Sequence, residues 1–153
     1  RMAVRSAARL GHRRLVGRLA TLALRYERSI RSAALRVLAL HPKVPVARRK
    51  VIEAVTHRTP SVREDAVIAI GMARATWARY WLARRAKDRS SAVRRSVARA
   101  LGRLPPDRSA YVVLRRLQYD RSPRVRSAAR RARLTLLKKQ RAGARAGRGR
   151  RRR

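Results

Sequence analysis

The chain has 153 residues, with 44 Lys and Arg against 7 Asp and Glu, so its formal net charge is +37. This length suits one domain with a real core, and the charge predicts a polyanionic partner because a free protein so basic repels itself. The absence of Cys excludes disulfides and thiolate metal sites, and no apolar run approaches the roughly 20 residues that span a bilayer.

The basic residues are mainly arginine, since only five of them are lysine. The planar guanidinium group forms paired hydrogen bonds with phosphate and stacks on bases, which a lysine ammonium does not do. A GC-rich coding genome would also favour Arg over Lys. The sign of the charge is the same on either explanation, and it favours nucleic acid as the polyanion.

An apolar residue followed by Arg recurs along the chain and marks an internal repeat. The apolar residues of these pairs, here called anchors, are Val4, Ile30, Val62, Val93 and Val125, with spacings of 26, 32, 31 and 32 residues. Small or apolar residues follow at four, seven and eight positions after the central anchors, which draws one helical stripe. We expect Ala66, Val97 and Ala129, four positions after their anchors, to be buried between helices.

Further apolar segments with helical spacing lie between the anchor-bearing helices. They span residues 14–24, 46–56, 76–86 and 109–117. Turn residues border them, and Pro60 and Pro123 follow Thr59 and Ser122 at favoured helix starts. The sequence therefore predicts one leading helix followed by four helix pairs, without β-strands, over residues 1–137.

Residues 88–102, DRSSAVRRSVARALG, resemble the second helix of a HEAT repeat, and residues 120–132 resemble another. The resemblance covers most of residues 1–137 and is strongest in these two segments. A unit of 31 or 32 residues is shorter than the roughly 40 of standard HEAT units, so the chain is most similar to short HEAT-like repeats. The resemblance implies an all-α solenoid of antiparallel helix pairs, and it implies no activity.

The resemblance also implies that a turn Asp and the Arg after the anchor hold adjacent repeats together. Asp88 and Asp120 stand six residues before the Arg of their repeats, whereas the two preceding repeats have no acid at that position. We therefore expect a ladder of ion pairs that is only half complete. Arg31 and Arg63 would then be freer to meet an outside anion.

The sequence shows no catalytic or metal-binding constellation. The acids stand in turns, near helix starts or alone within a helix, and they form no evident general acid–base pair. The three histidines are scattered without the HxxxH or HExxH spacing of metal sites. We expect no enzymatic activity, cofactor, metal or small-molecule substrate.

Three aromatic residues, Trp77, Tyr80 and Trp81, are spaced as i, i+3 and i+4 on a helix. This spacing is that of an ordinary core stripe, so we expect them to pack in the core or at its edge. Base stacking is the alternative interpretation.

Arginines that lie off the apolar stripe are the candidate ligands of phosphate. The second helices of HEAT-like solenoids commonly line the concave surface, so the resemblance implies that successive helices stack these arginines into a broad basic face. A basic run is usually a solvated face, but here few acids are interspersed. The candidate nucleic-acid-binding residues in the repeats are Arg31, Arg36, Arg63, Arg94, Arg95, Arg99, Arg103, Arg126, Arg130 and Arg131.

A second basic region follows at residues 138–153, KKQRAGARAGRGRRRR, with nine basic residues and no acid. It has little to bury, so we expect a tail that is disordered unless bound to nucleic acid. A nuclear or nucleolar targeting signal is the other interpretation of its Arg run. Its candidate binding residues are Lys138, Lys139, Arg141, Arg145, Arg148, Arg150, Arg151, Arg152 and Arg153.

Together these features predict a structural RNA-binding protein in a large ribonucleoprotein such as an organellar (mitochondrial) ribosome. Its partners would be rRNA and neighbouring proteins, without a membrane. The alternatives are a DNA-binding or DNA-repair protein and a protein–protein scaffold with an acidic partner. Charge spread over the whole chain favours burial in folded RNA over docking on a duplex, and a scaffold of this size rarely needs +37.

Localisation depends on composition alone. Arg-rich, acid-poor composition predicts the mitochondrial matrix, with the nucleus or nucleolus as the alternative. Because the chain begins at Arg1 rather than Met, we expect that a longer N-terminus, with any targeting segment, precedes this sequence.

Overall fold

The computed structural model of the protein describes residues 13–22 and 27–150, with side chains at 15–20 and 27–144. Within these ranges all regular structure is helical, which confirms the predicted all-α class. The predicted leading helix at residues 1–12 lies outside the described residues. The helices are α1 Arg13–Leu22, α2 Arg28–Leu40, α3 Pro45–Thr56, α4 Pro60–Met72, α5 Arg79–Arg85 (entered through a 3-10 turn, Thr76–Ala78), α6 Ser91–Arg103, α7 Arg108–Leu117 and α8 Pro123–Arg150.

The helices form two layers, and each repeat contributes one helix to each layer. The first layer contains α1, α3, α5 and α7, and the second contains the anchor-bearing helices α2, α4, α6 and α8. The most extensive contacts join neighbours within the second layer, from α2 to α4, α4 to α6 and α6 to α8. This stacking of helix pairs is an α-solenoid, in which each repeat buries its apolar stripe on the next.

Helix starts follow from local chemistry. Pro45, Pro60 and Pro123 are the first residues of their helices, where the missing N–H group is not needed. The Asp107 side chain accepts a hydrogen bond from the Ser109 N–H group and so caps α7. A similar turn precedes α6, which begins at Ser91. There the Asp88 carboxylate accepts a hydrogen bond from the Ser90 N–H group at 3.0 Å.

The second layer is closely packed at its helix crossings because small residues face each other there. A Cβ atom on Gly71 would lie 2.8 Å from the Cα atom of Ala100, and one on Gly102 would lie 2.9 Å from the Cβ atom of Ala132. These crossings leave no room for a larger side chain. The prediction that Ala66, Val97 and Ala129 are buried between helices is confirmed, since all three are 0% exposed.

The last helix does not end at residue 137. Helix α8 continues to Arg150, so the segment predicted as a separate tail begins within a helix. Leu136 is fully buried, and the Tyr111 hydroxyl donates to the Gln140 side chain at 3.0 Å, so contacts with the repeats extend past the predicted boundary. Disorder of residues 138–153 in the absence of a partner stays a prediction.

Candidate nucleic-acid interface

A ladder of ion pairs joins successive repeats in the second layer. Arg31 donates to the Asp65 carboxylate at 2.9 and 2.6 Å. One repeat further on, Nε and Nη2 of Arg63 donate to the two oxygens of Asp88, both at 2.8 Å. The next repeat has the same arrangement, with Arg94 donating to Asp120 at 2.7 and 2.9 Å. We call these three pairs the ion-pair ladder.

Two of these arginines, Arg63 and Arg94, also stabilise the turn that precedes their own helix. Nη1 of Arg63 donates to the carbonyls of His57 and Arg58 at 2.9 and 2.7 Å. Nη1 of Arg94 donates in the same way to the carbonyls of Asp88 and Arg89. The guanidinium groups of Arg63 and Arg94 therefore each join their own turn to the carboxylate of the following repeat.

The prediction of a half-complete ladder with a free Arg31 and Arg63 is wrong. Arg31 pairs with Asp65 and Arg63 pairs with Asp88, both acids of the next repeat. Asp88, which stands six residues before Arg94, offers that arginine its backbone carbonyl instead. Arg126, in the last helix, has no carboxylate partner among the described residues, and its Nη1 donates to the carbonyls of Asp120 and Arg121.

The two buried pairs of the ladder, Arg63–Asp88 and Arg94–Asp120, favour the charged state of their groups. Burial raises the pKa of Asp88, but hydrogen bonds from Arg63 and the Ser90 N–H group outweigh it, so the net pKa is lowered. The hydrogen bond from Arg94 lowers the pKa of Asp120. With Arg63 9% and Arg94 5% exposed, their donors are used within the fold, which removes two candidates from the accessible surface.

Most acids of the chain are paired within it. Six of the seven lie within 4 Å of a basic side chain, namely Glu53, Glu64, Asp65, Asp88, Asp107 and Asp120. The ladder acids hold the repeats together, and Asp107 caps a helix and lies 3.7 Å from Arg79. The acids therefore offset little of the positive charge on the outer surface.

The exposed surface of α6 carries a row of arginines. Arg95, Arg99 and Arg103 are spaced at i, i+4 and i+8, so they lie about 6 Å apart along one helix face. They line a groove of about 290 Å³ against Glu64 and Ile68 of α4. Arg95 is 3.9 Å from the Glu64 carboxylate, while Arg99 and Arg103 are exposed.

The expected broad basic face is interrupted at α4. Apart from the buried Arg63, this helix contains no basic residue, and its exposed or half-buried positions are Pro60, Ser61, Glu64, Ile68 and Met72. Arg36 lies half-buried on α2, on the far side of this interruption. The sequence of α4, PSVREDAVIAIGM, could have revealed this gap.

Helix α8 carries most of the remaining candidate nucleic-acid-binding residues. Arg130, Arg131, Lys138 and Arg141 are exposed along it. The backbone of α8 includes positions 145, 148 and 150, whose side chains lie outside the described part, as do residues 151–153 altogether. These side chains stay predicted ligands of phosphate.

Lys139 has a structural contact that sequence reasoning missed. Its Nζ donates to the carbonyls of Gly102, Arg103 and Leu104 at 2.8, 3.0 and 3.2 Å, so it caps the C-terminus of α6. Burial lowers the pKa of Lys139, and the nearby charge of Arg74 lowers it further. Lys139 thus attaches the start of the basic segment to the preceding repeat.

The aromatic residues divide into two kinds. Trp77 is half-buried and donates from Nε1 to the Ala39 carbonyl at 3.1 Å, and Trp81 packs against the core. The prediction of core-edge packing is confirmed for both tryptophans. Tyr80 differs, since it is 59% exposed.

Over residues 13–22 and 27–150, no cluster of three His, Asp or Glu side chains could hold a metal ion. In the same part of the chain, none of the helices combines the length and apolarity needed to cross a bilayer.

Comparison with known proteins supplies the family. A search of curated proteins found no match. The family model described as HEAT repeats matches residues 48–132, which is more than half of the 153 residues and includes α4 to α7 with the two complete buried pairs of the ladder. HEAT-repeat proteins are generally non-enzymatic helical scaffolds that contact proteins or nucleic acids. On this match and on its helix-pair architecture, the chain belongs to the HEAT-repeat family.

Proposed function

We propose that this protein is a structural RNA-binding component of a large ribonucleoprotein such as an organellar ribosome. The observation that carries the proposal is that acidic and basic side chains differ in their pairing and exposure. The acids are used in internal pairs, whereas arginines and lysines remain exposed on both layers and along α8. A surface of this kind is stabilised by a polyanion, and Arg binds phosphate with paired hydrogen bonds.

The distribution of exposed charge supports RNA over duplex DNA. On the first layer, Arg48, Arg49 and Arg116 are exposed, and on the second layer Arg99 and Arg103 are exposed. A DNA duplex would contact one of these faces and leave the other without counterions from nucleic acid. Folded RNA surrounds a protein and can supply phosphates to both layers.

The proposal extends to partners and compartment. Leu40 and Met72, 51% and 46% exposed on the second layer, would contact neighbouring proteins of the particle, since exposed apolar side chains are common at interfaces. No enzymatic step, cofactor or small-molecule substrate forms part of the role. The compartment we propose is the mitochondrial matrix.

A competition experiment tests the proposal. The full chain is titrated with a folded rRNA fragment at physiological salt, with duplex DNA of equal nucleotide number and poly-glutamate as competitors. We expect the RNA to remain bound in the presence of either competitor. Displacement by duplex DNA at equal nucleotide concentration would favour the DNA-binding alternative, and displacement by poly-glutamate would favour an acidic protein partner.

Paired variants show whether the α6 arginines take part. Arg99→Gln with Arg103→Gln should remove about two phosphate contacts and flatten the salt dependence of RNA binding accordingly. The matched control, Arg99→Lys with Arg103→Lys, keeps both charges and should keep the slope. Equal slopes in the Gln pair and the native chain would exclude these two residues from the interface.

A further inference from the structure

A groove of about 690 Å³ lies between α5 and α7 on the exposed surface of the first layer. It differs from the arginine row on α6 because it combines an aromatic ring, an apolar floor and a basic rim. The residues that matter for its chemistry are Tyr80, Arg84, Lys87, Val112, Val113 and Arg116.

The Tyr80 ring is held in place and yet accessible. It packs edge-to-face on Trp81, with ring centroids 5.2 Å apart and an interplanar angle of 80°. Nη1 of Arg84 donates to its hydroxyl at 3.0 Å, and the guanidinium carbon lies 5.8 Å from the ring centroid. Tyr80 nevertheless stays 59% exposed, whereas Trp77 and Trp81 pack against the core.

The groove is positively charged at its rim. Arg84, Lys87 and Arg116 are all exposed. The carboxylate among its lining residues, Asp88, is buried and accepts from Arg63 at 2.8 Å, so it is committed to the ion-pair ladder. Val112 is 65% exposed beside Tyr80's helix and extends the apolar surface.

We infer that this groove binds an unpaired nucleobase of RNA, with the base on Tyr80 and its flanking phosphates on Arg84, Lys87 and Arg116. Bases that are free of a duplex stack on aromatic side chains and on arginine, whatever their identity. A fully paired helix offers the groove phosphates only, since its bases already stack on each other. The inference rests on the proposed RNA binding and assigns the groove to loops or bulges.

The test uses the full chain and two RNAs of equal nucleotide number. One is a hairpin with 2-aminopurine in an unpaired loop, and the other is a fully paired duplex. Tyr80→Ala should weaken binding of the hairpin by about five-fold or more, as expected for loss of one base–aromatic stack, and should leave duplex binding unchanged. The 2-aminopurine fluorescence should be quenched by the native chain and much less by Tyr80→Ala.

Three further variants serve as controls. Tyr80→Phe keeps the ring and should keep hairpin affinity, while Tyr80→Leu keeps apolar bulk without the ring and should behave like Tyr80→Ala. Tyr119→Ala removes an 83% exposed tyrosine that does not line the groove, so it should bind both RNAs like the native chain.

Two outcomes separate this inference from the proposed function. If the native chain binds both RNAs and Tyr80→Ala binds the hairpin equally well, or weakens hairpin and duplex alike, the assignment of the groove is wrong and the proposed function stands. If the native chain binds neither RNA, both are wrong.

Discussion

Replacing Asp88 by Asn removes the carboxylate at the centre of the ion-pair ladder and leaves most of its shape. The side chain of Asp88 is 1% exposed and that of Arg63 is 10% exposed, and two hydrogen bonds of 2.8 Å join them. Loss of the negative charge leaves the Arg63 guanidinium group buried without a counterion. The new amide N–H group of Asn also faces the N–H donors of Arg63 and cannot accept from them. Breaking a buried pair from one side costs about 3–5 kcal/mol.

Thermal unfolding followed by circular dichroism measures this loss. For a chain of this size each kcal/mol lowers the midpoint by about 2–4 °C, so Asp88→Asn should lower it by about 6–20 °C. The matched control is Glu53→Gln, which breaks an ion pair to Lys50 of 2.7 Å whose carboxylate is 47% exposed, and it should cost at most about 1 kcal/mol. Equal losses in the two variants would refute the structural role assigned to the ladder.

Three further predictions concern the close helix crossing, acidity and the basic segment. Gly71→Ala should destabilise the fold by about 1–3 kcal/mol in urea unfolding, because the new Cβ atom would lie 2.8 Å from Ala100. The control is Gly17→Ala, whose Cβ atom would meet no atom within 4 Å, so it should be neutral or stabilising. Asp88 and Asp120 have lowered pKa values, so the stability that these two residues contribute is complete above the ordinary Asp pKa of about 4 and is lost as the pH falls below it. A urea midpoint that stays constant to pH 2 would contradict this. Removal of residues 142–153, which keeps the Lys139 cap, should leave the thermal midpoint unchanged and weaken RNA binding.

The repeats were predictable because periodicity is a property of the sequence alone. Apolar residues that recur at helical spacing must be buried on a neighbour, and a spacing of 31 or 32 residues fixes which helix that neighbour is. The burial of Ala66 and Ala129 followed from the same register. The close helix crossings at Gly71 and Gly102 follow the same repeat, since both glycines stand nine residues after their anchors.

The partners of the ladder were not predictable from spacing within one repeat. Asp88 stands six residues before Arg94, and the two do meet, but through the Asp88 carbonyl at 2.7 Å. The carboxylate points to Arg63 of the preceding repeat, which depends on how the repeats stack. Similarly, the contact of Lys139 with the end of α6 depends on the three-dimensional position of that helix end.

The sequence predicted the type of residue that forms the candidate site, but it predicted less well which of these residues reach the surface. The excess of arginine over acid is a property of the sequence, but which arginines reach the surface depends on which ones the acids retain. Arg63 and Arg94 are retained, whereas Arg99 and Arg103 are exposed. The exposed Tyr80 could not be told from its neighbours by helical spacing, since all three aromatic residues share one stripe.

The salt dependence of RNA binding tests the proposed function most directly. Each neutralised phosphate releases counterions, so the log of the affinity falls with the log of the salt concentration in proportion to the number of contacts. About ten phosphate contacts predict a slope between about −7, the value for single strands, and about −9, the value for a duplex. The slope is measured with the full chain and a folded rRNA fragment. A slope near zero would contradict binding through exposed arginines.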